Sequence, residues 1–103
     1  MIKHEEVLKL IKDEIGYINE SFKLKKSIEP NENTVILGPN SSFDSLAFVH
    51  LVSAIEDWMD DNYDIMIVLA DEKAVVNPNG PFNNVGTLAT HTVNLVNAEL
   101  VEQ

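Results

Sequence analysis

The spacing of apolar residues near the start of the chain constrains the fold more than any other feature. Leu8, Ile11, Ile15, Ile18 and Phe22 recur at steps of three and four, which places them on one face of a helix. The spacing predicts a helix over about 2–23. Lys23, Lys25 and Lys26 follow at its C-terminal end, where cations favour the helix dipole. A strand would need alternation with a period of two, and this segment has none.

The same period returns twice more. Phe48, Leu51, Val52, Ile55, Trp58 and Met59 predict a second helix from about Ser45 to Asp60, with Asp44 as its N-cap. Val85, Leu88, Thr92, Leu95 and Val96 predict a last helix, with Asn84 as N-cap. Between the first two helices, Ser27 to Ser42 reads as a long structured loop, broken by Pro30, Gly38 and Pro39 and anchored by Thr34-Val35-Ile36-Leu37. Ile65 to Leu69 is uniformly apolar, so periodicity does not separate a buried strand from a connector. Without convincing partner strands elsewhere, a connector is expected, leading into a short helix over the 70–76 region. Asn77-Pro78-Asn79-Gly80-Pro81 is a break. The expected fold is all-α: a small four-helix bundle with three longer helices and one short one. With 103 residues, the chain reads as a single domain over 1–103.

Composition narrows the function. No apolar run is long enough to span a bilayer, and Met1-Ile2-Lys3-His4-Glu5-Glu6 lacks the character of a secretory signal. Cytoplasmic residence is therefore expected. The chain has no cysteine, which excludes disulfides, thiol catalysis and thiolate metal sites. Net charge is −10 and unevenly spread: residues 1–26 sum to about +1, and residues 27–103 to −11. Such a surface repels nucleic acid and anionic lipid and favours partners with basic patches, although acids also serve simply to keep a small protein soluble. Nothing in the sequence signals oligomerisation, and a monomer is expected.

Most of the usual chemistry is missing. His4, His50 and His91 have no metal-site spacing and read as surface residues. No Gly-x-Ser-x-Gly elbow or phosphate-cradling glycine loop is present. Asp60, Asn62, Asp64 and Asp71 imitate a calcium loop, but Ile65 stands where its sharp turn needs glycine and Val68 where it needs an oxygen. No metal site and no catalytic residue is expected. Ser45 remains, in Phe43-Asp44-Ser45-Leu46 at a loop-to-helix junction, where a hydroxyl is open to another protein's active site.

Residues 34–58, from Thr34 through Phe43-Asp44-Ser45-Leu46 to Trp58, resemble the centre of acyl carrier proteins and peptidyl carrier domains. Tyr63-Asp64-Ile65-Met66-Ile67 is similar to that family's connector, and Phe82 to Leu88 to the entrance of its last helix. Leu69-Ala70-Asp71-Glu72-Lys73-Ala74 and Gly80-Pro81-Phe82 resemble a divergent stand-alone group associated with polysaccharide or secondary-metabolite gene clusters. The likeness covers nearly the whole chain, weakly in the first helix. It implies a carrier, not an enzyme, with 4'-phosphopantetheine attached to Ser45 and an acyl or aminoacyl group held on it as a thioester. Asp44 and Leu46 would lie beside the attachment point, and Phe48, Val49, Val52, Glu56 and Asp57 would meet partners. Those partners would be a phosphopantetheinyl transferase and the enzymes that load and accept the acyl group, with basic docking surfaces. Phe48, Leu51, Val52 and Ile55 would divide between the core and a cleft for the acyl chain.

The chain departs from the common fatty-acid carriers at Ala47 and His50, where those carriers tend to have acids, at the bulky Phe43, and in extra residues around Asp57 to Asp61. A dedicated set of partners is therefore expected. The different-class alternative is an unmodified acidic helical interaction module with the same fold. A hydrolase using Ser45 is a third reading.

Overall fold

The computed structural model describes residues 2–24, 26–38, 41–76 and 80–102. Four helices follow one another: α1 (His4–Ser21), α2 (Ser45–Tyr63), α3 (Glu72–Val76) and α4 (Val85–Glu102). No strand occurs among the described residues; Val35 and Asn84 form an isolated antiparallel bridge. The domain has a radius of gyration of 13.1 Å, as compact as a globular domain of this length should be. No described helix is long and apolar enough to cross a membrane.

α1 buries Val7, Leu8, Ile11, Ile15 and Ile18 and packs against α4 and α2. The helix is shorter than its apolar period at both ends. Phe22 leaves it in an extended conformation (φ −104°, ψ 144°), and its N–H still donates to the Ile18 carbonyl. Lys23 and Lys26 consequently lie beyond the last turn; Lys25 falls outside the described residues. At the other end Lys3 gives no side-chain cap. There the side chain of Asn97 takes both backbone groups of Ile2, accepting from its N–H at 3.0 Å and donating to its carbonyl at 3.2 Å.

α2 buries Ala47, Leu51, Val52, Ile55 and Met59. It runs three residues past the expected end, to Tyr63, and Asp64 closes it in the left-handed region (φ 55°), which a short polar side chain tolerates. In the run after it, Ile65, Ile67 and Leu69 are buried while Met66 and Val68 are 88% and 71% exposed. The segment is extended and alternates faces without pairing to a strand. Asp71 caps α3, accepting from the Ala74 N–H at 2.8 Å. Asn84 caps α4 reciprocally: its Oδ1 accepts from the Thr87 N–H at 2.8 Å and its N–H donates to Thr87 Oγ1 at 3.0 Å. Val85, Leu88, Ala89, Thr92 and Val96 face the core, and buried Thr92 donates its hydroxyl proton to the Leu88 carbonyl.

Between α1 and α2 the chain is tied down at both ends. Asn19 of α1 holds both backbone groups of Ile28, at 2.8 and 2.7 Å. Farther on, Ile36 and Leu37 donate to the carbonyls of Asn83 and Phe82, and Val85 and Gly86 donate to those of Thr34 and Glu32. Pro39 and the Asn77-Pro78-Asn79 break fall outside the described residues.

Candidate functional site

Ser45 is the first residue of α2, and it is exposed. Its position follows from Asp44, whose extended backbone (φ −87°, ψ 177°) turns the chain into the helix. Asp44 Oδ1 accepts from the Ala47 N–H at 2.7 Å, and its carbonyl accepts from the Phe48 N–H. No described hydrogen bond holds the Ser45 hydroxyl.

The residues around it divide by helical face. Leu46 and Val49 are 66% and 56% exposed. Phe48 is half-buried and meets Phe82 edge-on, with ring centroids 5.1 Å apart. Val52, at 6% exposure, lies in the core with Leu51 and Ile55. Glu56 is half-buried, and its Oε2 accepts from the Leu69 N–H at 2.9 Å, so its carboxylate fixes the connector against α2. Asp57 is exposed at the rim of a notch of about 310 Å³ shared with Glu14, Tyr17, His50, Ser53 and Ala54.

His50 differs from a free surface residue. Its Nε2 lies 3.1 Å from Glu14 Oε2, its ring stacks on Tyr17 at 5.1 Å, and Phe22 meets it edge-on. It thus ties α2 to α1. Asp60 and Asn62 lie within α2, and among the described residues no group of three or more His, Asp or Glu is gathered to hold a metal.

Several features were silent in the sequence. Met66 and Val68 are exposed apolar residues on the connector, and in a run where every residue is apolar no pattern marks which ones face out. Val76, at the end of α3, is 72% exposed. A cleft of about 670 Å³ opens between α1, the 32–33 turn and the N-terminal half of α4, lined by side chains that include His4, His91 and Asn94. Its residues come from three separate stretches, which no spacing rule connects.

No family model, curated protein or solved structure matches the chain.

Proposed function

We propose that the chain is an acyl carrier protein, modified at Ser45 with 4'-phosphopantetheine, that presents an acyl or aminoacyl group to biosynthetic enzymes of a specialised pathway. Within this reading the four helices form a carrier-type bundle, and the segment between α1 and α2 is its structured loop. The observation that carries the proposal is an exposed serine at the first position of α2, with its hydroxyl held by no described hydrogen bond and with solvent-facing Leu46 and Val49 beside it.

The local geometry suits the group. A phosphodiester on Ser45 would stand at a helix N-terminus, where unpaired N–H groups and the helix dipole favour negative charge. For attachment, Ser45 Oγ attacks one phosphorus of the coenzyme A diphosphate. A new P–O bond forms, the bridging P–O bond breaks, and the nucleotide half leaves. The hydroxyl proton passes to a base of the transferase, which also supplies the metal. Once attached, the arm's thiol supplies the thioester chemistry that a cysteine-free chain lacks. Asp44 holds the start of the helix, while Leu46, Phe48, Val49, Glu56 and Asp57 frame the surface offered to basic partners.

Intact-mass measurement after incubation with coenzyme A and a broad-specificity phosphopantetheinyl transferase tests this reading. The expected result is one added arm per chain, lost in Ser45→Ala. Absence of any gain with several transferases would favour the unmodified acidic module.

A further inference from the structure

The cleft between α1 and α4 has a chemistry unlike the rest of the molecule. In a protein of net charge −10, its lining carries one acidic residue, Glu32; the other side chains are amides, hydroxyls and imidazoles beside Pro81 and two glycines. The cleft is an open groove of about 670 Å³. Asn33, Thr87 and Asn94 are exposed there, so a hydrogen-bonding group entering the cleft meets donors and acceptors along its wall.

The walls are fixed in advance. The reciprocal Asn84–Thr87 cap, the Val85-to-Thr34 bond at 3.0 Å and the Gly86-to-Glu32 bond at 2.8 Å lock the 32–34 turn to α4. A Cβ at Gly86 would come within 3.3 Å of the Glu32 carbonyl, so glycine permits that close approach. Thr90 Oγ1 donates its one proton to the Gly86 carbonyl. Its contact with His4 Nε2 at 3.2 Å brings the imidazole to the same wall. Asn33, His91 and Asn94 add further side chains with donors and acceptors.

A chain of neighbouring residues links the helix face of Ser45 to the rim of this cleft. Ser45 and Phe48 stand three residues apart on one helix face. Phe48 packs on Phe82, and Pro81, the residue before Phe82, lines the cleft. We propose, resting on the carrier reading above, that the cleft receives the cargo of the Ser45 arm and that this cargo is a short, uncharged acyl group bearing hydroxyl or amide functions.

The test uses the full chain, loaded at Ser45 from coenzyme A, from a short hydroxyacyl coenzyme A and from the matching unsubstituted acyl coenzyme A. Intact mass is read first; if no form adds an arm, the carrier reading falls and the cleft proposal falls with it. With the arms attached, backbone amide resonances are compared with the arm-only protein. The hydroxyacyl group should shift those of Asn33, Thr87, His91 and Asn94, and the unsubstituted acyl should not. Cargo sheltered at least half the time should also hydrolyse at least about twofold more slowly. Both effects should vanish in the exposed-residue double variant Asn33→Leu/Asn94→Leu. Shifts confined to the turn around Ser45, shifts at Leu51 and Ile55, or equal responses to the two acyl groups would overturn the cleft proposal and leave the carrier reading standing.

Discussion

Ser45 is available because Asp44, not Ser45, supplies the helix cap. Had the serine been the cap, its hydroxyl would be occupied by a backbone N–H; one position later it is left for chemistry. A comparable one-residue distinction acts at the far end of α2, where Tyr63 lies 3.4 Å from Glu6 Oε2 and tilts against Trp58. Partial burial first, and then the negative charge of Glu6 and its hydrogen bond, raise the phenol above its ordinary value of 10.0. The folded state therefore holds this proton more tightly than the unfolded chain. That contribution is complete below pH 10 and is lost as pH rises through the folded-state value. In a Tyr17→Phe background Tyr63 is the sole tyrosine, and a near-ultraviolet titration should show it ionising above 10. Glu6→Gln should lower the midpoint without restoring 10, because burial is the larger cause. A midpoint at or below 10 in the folded protein would refute the contact.

At the scale of elements, two asparagines fasten segments that helix packing alone would leave loose. Asn19 satisfies both backbone groups of Ile28, whose side chain is 1% exposed in the core. Asn19→Ala leaves a part-buried donor and acceptor unpaired, which should cost about 1–3 kcal/mol. Thermal melting should drop by about 4–8 °C for each kcal/mol lost, and the Ile28 amide should exchange faster with solvent. A stability change within about 0.5 kcal/mol, the range of ordinary surface substitutions, would show that Asn19 does not hold the segment. This clamp was illegible in the sequence, because an asparagine on a helix carries no sign of a backbone partner nine residues away. The longer helices were legible: α1, α2 and α4 each carry an inward apolar stripe. Their ends were less so. Phe22 continues the apolar period yet leaves α1, since a side chain can join the core from an extended backbone as well as from a helix.

At the scale of the whole molecule, charge acts with two opposite signs. Residues 27–103 carry −11 and hold Ser45, whereas residues 1–26 are nearly neutral. Mutual repulsion among those acids opposes the compact state, and on the carrier reading proposed above the same field would draw a basic partner toward Ser45. Salt screens both, with a Debye length of about 8 Å at physiological ionic strength and about 3 Å at 1 M. Raising sodium chloride over this range should therefore increase the melting temperature and, if the chain is a carrier as proposed, raise a phosphopantetheinyl transferase's KM for it several-fold, with kcat little changed. The imbalance was readable from the sequence; that Asp44 and Asp57 stay exposed while Glu56 turns to the connector required the fold. Glu56, with its carboxylate engaged by the Leu69 N–H, should contribute less to this salt effect than Asp57, so Asp57→Asn should flatten the salt dependence of KM more than Glu56→Gln does. Equal effects of the two substitutions would mean that the general field steers the partner. A larger effect of Asp57→Asn would place a docking contact at the exposed carboxylate and leave Glu56 its internal role of holding the connector.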